Sequence, residues 1–215
     1  MNSRTTTIGL TVLAAILFSA CAVSTPVATP HTTNVPPTIV PTPTQALQSQ
    51  IVAPTPVCRT LEATPAMTEG PYYKQNPPER TSLIEPGNTG TRILITGYVI
   101  TLDCKPIARA RVDFWQADDK GVYDNTGYKW RGYQLTDDTG RYALETVIPG
   151  LYSGRTRHIH VKVQAPNQPE LTTQLYFSNE AGNTTDSIFS PKLLLAIREV
   201  NGIQVGTFNF VLNIR

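Results

Sequence analysis

From residue 92 onward, short runs of β-branched and aromatic residues are separated by clusters of turn-forming residues. This spacing restricts the fold more than any other feature, because each run is short and the apolar residues alternate with a period of two. No long stretch with a helical period competes with this pattern. The pattern predicts an all-β protein, an antiparallel β-sandwich.

The strand pattern is found in residues 92–101, 109–116, 133–136, 141–147, 158–163, 171–177, 193–200 and from 203 onward, with a last strand over 207–215. In the second of these runs, Ala110, Val112 and Phe114 fall on one face. The cluster Asp137-Asp138-Thr139-Gly140 predicts a hairpin between its flanking strands. Asn201-Gly202 is the dipeptide that best fits a type I′ turn.

The first twenty residues have the features of a signal peptide. Arg4 supplies a positive charge, and residues 8–18 form an uncharged apolar run that is too short to span a bilayer comfortably. Phe18-Ser19-Ala20-Cys21 then resembles a bacterial lipobox, in which the cysteine becomes the lipidated first residue. We therefore expect an exported protein that Cys21 anchors to a membrane. The alternative is an ordinary cleaved signal, with Cys21 discarded or left spare.

Residues 21–57 form a spacer after the anchor. Residues 22–57 contain no Asp, Glu, Lys or Arg and are dominated by Pro, Thr and Ala. Such a segment cannot bury enough apolar surface to fold, and its prolines favour extended conformations. Residues 58–215 are long enough for one domain with a single core. The net charge of +2 and the lack of a basic stripe argue against nucleic acid as a partner.

The chain has three cysteines. If Cys21 carries lipid, Cys58 and Cys104 remain as a pair, and outside the cytoplasm a disulfide between them is reasonable. The loop that it closes corresponds to roughly 4 kcal/mol of stabilisation in the chain-entropy model. No CxxC spacing accompanies these cysteines, which makes a metal site the weaker interpretation.

His158 and His160 are the two histidines of the predicted domain, because the third, His31, lies in the spacer. At positions i and i+2 of a strand, their side chains leave the same face and can bind one metal ion. The alternative is a pair of polar residues on an exposed strand face. A metal bound here needs oxygen ligands to complete its coordination, from tyrosines or from carboxylates. Two tyrosines lie in flanking segments, Tyr123 and Tyr152.

Several segments, taken in order, resemble the intradiol ring-cleaving dioxygenases, the family of catechol 1,2-dioxygenase and protocatechuate 3,4-dioxygenase. These segments are Thr68-Glu69-Gly70-Pro71-Tyr72-Tyr73, residues 115–123, Arg131-Gly132 with Thr136-Asp137, residues 149–152, residues 155–160 and residues 172–177. The resemblance implies a β-sandwich with an Fe(III) ion held by Tyr123, Tyr152, His158 and His160. Phenolates suit this hard trication, which drives their deprotonation.

The resemblance also implies a reaction. A small aromatic diol of the catechol type displaces Tyr152, and dioxygen cleaves the ring between the two hydroxyl-bearing carbons to a muconate-type diacid. Arg155 and Gln174 match residues that stabilise charge on the ring, although Arg157 could take the place of Arg155. Thr156 and Arg157 replace the usual Pro-Ala, and no helical domain precedes the sandwich. Both features resemble the exported, single-domain branch of the family.

Two other functions stay open at this point. One is a different metalloenzyme on the same fold, which would bind zinc or Fe(II) through His158, His160 and a carboxylate such as Asp118 or Asp119. The other is a non-enzymatic cell-surface β-sandwich that binds a ligand. Such a module has no need for four metal ligands together with Arg155 and Gln174.

Overall fold

The computed structural model describes residues 61–152 and 154–214. The predicted signal peptide (residues 1–20), the lipidation site Cys21, the spacer (residues 21–57) and Cys58 lie outside these residues. Within them, no helix is both long and apolar enough to cross a membrane.

In the described residues, nine strands form two sheets, which confirms the predicted all-β sandwich. One sheet has the order β4-β1-β8-β7, with β9 also paired to β1, and the other has the order β3-β2-β5-β6. The strands are β1 (Arg92–Thr101), β2 (Arg111–Trp115), β3 (Arg131–Leu135), β4 (Arg141–Val147), β5 (His158–Gln164), β6 (Glu170–Tyr176), β7 (Ala196–Val200), β8 (Ile203–Thr207) and β9 (Phe210–Leu212). Two short 3₁₀ helices, Ala181–Thr184 and Pro191–Leu193, lie between β6 and β7.

The predicted hairpin around Asp137 is wrong. The turn itself forms, because the Gly140 N–H donates to the Asp137 carbonyl at 2.9 Å. The strands on either side nevertheless belong to different sheets: β3 pairs with β2, and β4 pairs with β1 along its whole length. A turn cluster specifies a local reversal of the chain, whereas the partner of each strand is decided by distant apolar residues.

The hairpin at Asn201-Gly202 is confirmed. β7 and β8 pair in antiparallel fashion up to Val200 and Ile203, and both turn residues have positive φ angles, 52° and 78°, as a type I′ turn requires. The predicted strand over 207–215 is not continuous: in the described part of this range, Thr207 ends β8, and β9 follows as a separate short strand that runs parallel to β1. β8 is also parallel to β1, so this sheet is mixed.

The core lies between the sheets and is built from alternate residues of each strand. Val112 and Phe114 of β2 lie on one face with Ala110, as predicted, and this face points inward. In β5 the inward residues are Ile159, Val161 and Val163. The inner face of β4 contributes Tyr142 and Leu144. The histidines of β5 therefore lie on the opposite, outer face of the β3-β2-β5-β6 sheet.

The outer face of that sheet carries a row of polar and aromatic residues. Strand register aligns Arg131 of β3 with Trp115 of β2, Trp115 with His160 of β5, and His160 with Gln174 of β6. His158 lies one row away, opposite Tyr176. Residues 68–73, here called the covering segment, lie over this face, since a Cβ atom on Gly70 would be 3.1 Å from Cε1 of His160.

Candidate metal centre

Three of the four expected metal ligands converge on one point. Nε2 of His158 lies 3.1 Å from Nε2 of His160 and 3.3 Å from the hydroxyl of Tyr123. All three side chains are buried. Neighbouring ligands of one metal ion lie ~3 Å apart when metal–nitrogen bonds are ~2.0–2.1 Å long. The separations in this structure fit such a site.

The backbone sets the orientation of His158. Its Nδ1 donates to the carbonyl of Thr156 at 2.7 Å, so Nδ1 carries the proton and Nε2 presents a free lone pair. In metal-binding histidines, the ring nitrogen that does not bind the metal typically donates a hydrogen bond of this kind. His160 is stacked on the Trp115 indole, with the ring centroids 4.8 Å apart, and its Nδ1 has no hydrogen-bond partner among the described residues.

Burial keeps both imidazoles neutral. It lowers the pKa of His158 to about 4, although the hydrogen bond to Thr156 acts in the opposite direction. Burial also lowers the pKa of His160 far below its usual value, and the neighbouring His158 adds to the effect. Neutral imidazole is the form that binds a metal. Burial raises the pKa of Tyr123, so this phenol needs a cation to become a phenolate ligand.

The fourth expected ligand, Tyr152, lies against Tyr123. Their rings meet edge-on with centroids 5.7 Å apart. The Tyr152 hydroxyl is hydrogen-bonded to the hydroxyl of Tyr72 at 2.7 Å, and the Tyr72 ring is stacked on Tyr123 at 4.4 Å. The structure therefore gathers three tyrosines beside the two histidines, including one, Tyr72, to which the sequence analysis gave no role.

Arg155 and Gln174 are brought together at the same site. Nη2 of Arg155 donates to Oε1 of Gln174 at 2.8 Å, and Nε2 of Gln174 donates to the carbonyl of Thr68 in the covering segment at 2.9 Å. Arg157, the alternative to Arg155, forms an ion pair with Glu180 at 2.9 Å and donates to the Pro149 carbonyl. Of the two arginines, Arg155 is thus the one bonded to Gln174.

Arg131 is a second residue whose role the sequence did not reveal. Its side chain is almost wholly buried and donates to the backbone carbonyls of Tyr72 and Asp124. It therefore ties the covering segment to the loop that carries Tyr123. Arg131 lies in one of the segments that resemble the family, and this was the signal in the sequence that it matters. Its role in holding the two segments together follows from the contacts alone.

The donor set fits ferric iron better than the carboxylate alternative. Asp118 accepts hydrogen bonds from the N–H groups of Lys120 and Val122, and Asp119 accepts one from the Thr89 hydroxyl. Asp118 is thus bonded within its own loop, and Asp119 is bonded to the segment that precedes β1. Across the described ranges, no three His, Cys, Asp or Glu side chains form a group that could hold a metal. Oxygen donors to His158 and His160 would come from tyrosines, the ligands that a hard trication prefers.

The cysteines lie apart from these ligands in the chain. Cys104, the sole cysteine in residues 61–152 and 154–214, is disulfide-bonded. The expected pairing with Cys58 stays a prediction.

Comparison with known proteins agrees with the geometry. A family profile described as "Dioxygenase" matches residues 68–214. Catechol 1,2-dioxygenase of Acinetobacter baylyi is 28% identical over 167 residues, 64% of this chain and 54% of that protein. Hydroxyquinol 1,2-dioxygenase of Rhizobium sp. is 27% identical over 163 residues, 63% of this chain and 55% of that protein. The chain spans about half the length of these curated relatives.

Solved structures are similar over most of the described residues. The dioxygenase domain of a dioxygenase carbohydrate-binding protein fusion from Streptomyces sp. SirexAA-E is 50% identical with a TM-score of 0.70, covering 72% of this chain and 100% of that chain. 3-Chlorocatechol 1,2-dioxygenase from Rhodococcus opacus 1CP is 25% identical with a TM-score of 0.66, covering 70% of this chain and 72% of that chain. The chain belongs to the intradiol ring-cleaving dioxygenase family.

Proposed function

We propose that this protein is an Fe(III)-dependent intradiol dioxygenase that cleaves catechol-type rings with dioxygen. Tyr123, Tyr152, His158 and His160 would hold the iron. The observation that carries the proposal is that His160 Nε2 and the Tyr123 hydroxyl both lie within 3.3 Å of His158 Nε2, in a buried site. A binding module has no need for this arrangement of ligands.

Ferric iron, when bound, supplies the Lewis acidity and the electron exchange that make a catecholate reactive toward dioxygen. The residues of the chain then have separate tasks. His158 and His160 stay neutral and present Nε2 lone pairs, while Tyr123 supplies a buried phenolate once a cation is present. The hydrophobic and aromatic walls, including the Trp115 ring on His160, limit access of water to the site.

Tyr152 would take part in proton transfer. Its hydroxyl shares a 2.7 Å hydrogen bond with Tyr72, so either oxygen can be the donor. A phenolate at Tyr152 can accept a proton from a substrate hydroxyl as a positioned general base. The Tyr72 hydroxyl then offers a hydrogen bond to whichever form of Tyr152 is present, and so holds the ring near the site in both protonation states.

Arg155 and Gln174 would stabilise negative charge on the substrate ring. The guanidinium is largely buried, and its charge therefore acts more strongly than it would in water. Its bond to Gln174 orients both groups before a substrate arrives. We assign them the stabilisation of charge that develops on the ring during attack by dioxygen.

The substrate class follows from the relatives and from the space beside Tyr152. The names of the two curated relatives specify catechol and hydroxyquinol, which are both small aromatic diols. A cavity of about 330 Å³ is lined in part by Tyr152, Gly154, Arg155 and Gly182. This volume lies within the range of small-molecule sites, ~300–1,000 Å³. We infer a small aromatic diol as substrate, dioxygen as co-substrate and a muconate-type diacid as product.

We further propose that the enzyme is an exported lipoprotein on the extracytoplasmic side of a bacterial membrane. The charged and apolar features of residues 1–20 and the lipobox-like residues 18–21 support this location. The uncharged spacer would hold the catalytic domain away from the lipid surface. The membrane would be a partner through the anchor alone.

The visible spectrum of the protein loaded with iron tests the proposed reaction. Tyrosinate-to-iron(III) charge transfer should make the wild type wine-red, whereas zinc would leave it colourless. Added catechol should change the spectrum without oxygen, and oxygen should then be consumed with formation of a ring-cleaved diacid. A colourless ferric-loaded protein, or a coloured one that leaves catechol intact, would contradict the proposal.

Single variants separate the ligands. Tyr123→Phe should weaken iron binding and remove much of the absorption, because it deletes a permanent anionic ligand. Tyr152→Phe should keep more iron yet lose turnover by ~10²–10⁴-fold, the range for a positioned acid–base group. His158→Ala and His160→Ala should each empty the site. Tyr128→Phe is the matched control, since this tyrosine donates to the Gln75 carbonyl at the surface. Full activity in Tyr123→Phe would refute the ligand assignment.

A further inference from the structure

The carboxylate of Asp186 is buried near the proposed metal site but is not one of its ligands. It follows the 3₁₀ helix Ala181–Thr184, and its side chain is only 2% exposed. Oδ2 accepts from Nε of Arg155 at 2.8 Å and from the backbone N–H of Thr156 at 3.0 Å. Oδ1 accepts from the N–H of Ile188 at 3.1 Å. A buried carboxylate with this many partners has a specific orienting effect on each of them.

The bond to Asp186 determines where the Arg155 guanidinium points. The guanidinium is planar, so holding Nε fixes the directions of the remaining donors. With Nε on Asp186, Nη2 lies 2.8 Å from Oε1 of Gln174 and 3.4 Å from the Tyr176 hydroxyl. Asp186 and Gln174 thus hold the Arg155 guanidinium at two of its nitrogen atoms. Freed from Asp186, the side chain could rotate about its flexible stem.

Asp186 also acts on His158, through the backbone of Thr156. Thr156 donates its N–H to Asp186 and accepts the Nδ1 proton of His158 on its carbonyl at 2.7 Å. The Thr156 hydroxyl bonds to Asn183 at 2.7 Å, and a Cβ atom on Gly182 would be 3.1 Å from the Thr156 Cβ. Thr156 is therefore held tightly between Asp186 and His158.

We propose that Asp186 is a positioning residue that orients the Arg155 guanidinium toward the substrate and, through Thr156, the imidazole of His158 toward the metal. The part that concerns substrate rests on the proposed function. Asp186 itself does not touch the reacting atoms. It supplies the negative charge that a largely buried guanidinium needs, because an unpaired buried cation is costly.

A double-mutant cycle tests the link to Arg155. Asp186→Asn keeps the shape of the side chain but removes its charge, and it should lower kcat by ~10–100-fold, with a smaller change in KM, as expected for loss of a hydrogen bond to a charged group. In an Arg155→Ala background, Asp186→Asn should lose most of its effect on kcat, because no guanidinium is left to orient and only the part that acts through Thr156 on His158 remains. Independent, multiplicative losses would overturn the proposal.

The matched control is Asp137→Asn. Asp137 accepts hydrogen bonds from the N–H groups of Thr139 and Arg141, so it also caps a turn with a carboxylate, but it lies between β3 and β4. This variant should keep wild-type kcat. An equal loss of kcat in Asp137→Asn and Asp186→Asn would show a general effect on folding and would overturn the positioning role.

A measurement without metal or substrate separates this inference from the proposed function. In nitrogen-15 spectra of the metal-free protein, the Arg155 Nε–H signal, assigned by its loss in Arg155→Lys, should exchange slowly with water. The signal should exchange rapidly in Asp186→Asn and stay protected in Asp137→Asn. A rapidly exchanging Nε–H in the wild type would overturn the inference. Failure of the wild type to cleave catechol would overturn the proposed function but leave this result valid.

If Asp186→Asn does not fold, Arg155→Lys provides a second test of the positioning role. Lysine keeps the positive charge but cannot bond to Asp186 and Gln174 through a rigid fork. Its kcat should therefore fall nearly as far as that of Arg155→Ala. Wild-type kcat in Arg155→Lys would show that charge alone is enough, and the proposed positioning by Asp186 would be wrong.

Discussion

Nη2 of Arg155 donates to Oε1 of Gln174 across 2.8 Å, although the two residues are nineteen positions apart and lie on different elements. Gln174 belongs to β6, where it is the register partner of His160, and Arg155 precedes β5. The strand register thus places an amide beside a candidate metal ligand, and the loop brings a guanidinium to that amide. This pair therefore lies beside a candidate metal ligand and consists of the two groups proposed to act on the substrate.

Arg155→Ala should retain iron and colour but slow ring cleavage by ~10²–10³-fold, the range for removing one donor that stabilises developing charge. Arg157→Ala is the matched control, because its guanidinium pairs with Glu180 instead of Gln174. We expect its turnover to stay close to that of the wild type. Iron content, the visible spectrum and catechol consumption would be measured on both. A larger loss of turnover in Arg157→Ala than in Arg155→Ala would assign the stabilisation of charge to Arg157.

Tyr72→Phe should lower kcat by ~10-fold while iron content is unchanged, since one hydrogen bond of ~1–1.5 kcal/mol to Tyr152 is lost. Tyr73→Phe is its control, because the Tyr73 hydroxyl bonds to Asp113 at 3.3 Å and not to a tyrosine. Steady-state kinetics and iron analysis of both variants would test the expectation. Equal turnover in Tyr72→Phe and the wild type would show that Tyr152 works without this partner.

The metal-free protein should lose stability as the pH falls from about 6.5 toward 4. The pKa of His158 is about 4 in the folded protein and ~6.5 when unfolded, so below pH 6.5 the unfolded chain binds a proton that the folded protein does not. Above that pH the contribution of His158 is constant. The full difference corresponds to ~3 kcal/mol of unfolding free energy.

Urea unfolding at pH 7.5 and pH 5 would measure this dependence. His158→Gln removes the titrating group and should show a smaller fall in stability between the two pH values, whatever its absolute stability. An identical pH dependence in the variant and the wild type would mean that His158 is not the group responsible.

Cys58 and Cys104 should be found cross-linked by non-reducing peptide mapping of the exported protein. Cys104→Ser should then lower the unfolding free energy by roughly 4 kcal/mol, since the closed loop no longer restricts the unfolded chain. The same variant compared under reducing conditions is the control, because there the wild type also lacks the bond. Free thiols at both positions in freshly exported protein would contradict the pairing.

Cys21→Ser should release the protein from the membrane fraction into the soluble extracytoplasmic fraction, because the site of lipidation is lost. Catalytic turnover of the released protein should match that of the wild type, since the proposed ligands all lie beyond residue 122. Fractionation and mass spectrometry of the N-terminal peptide would be used. A Cys21→Ser protein that still sediments with membranes, and a wild type without lipid, would contradict the lipoprotein proposal.

Local periodicity was sufficient to predict much of the fold. The limits of β1 and β4 are those expected, and His158 and His160 lie on one face of β5 because side chains alternate along a strand. The Asn201-Gly202 turn also formed as expected, since both residues tolerate positive φ angles. These features depend on residues that are close in the chain, so the sequence contains the information directly.

Partnerships between distant residues required the tertiary structure. β3 and β4 flank a clear turn but enter different sheets, because the apolar residues of β4 find their partners on β1. Tyr72 acquires its place only when the covering segment lies on the sheet, and Asp186 meets Arg155 across thirty-one residues.

The sequence by itself thus determined the all-β class, the paired histidines and, through family resemblance, the tyrosines expected beside them. Only the tertiary structure decided that Arg155 and not Arg157 meets Gln174, and that Tyr72 and Asp186 adjoin the site. The physical reason is the distance along the chain over which each kind of interaction acts. Alternation and turn chemistry are local properties of the backbone, whereas a hydrogen bond between distant side chains depends on how two buried surfaces pack.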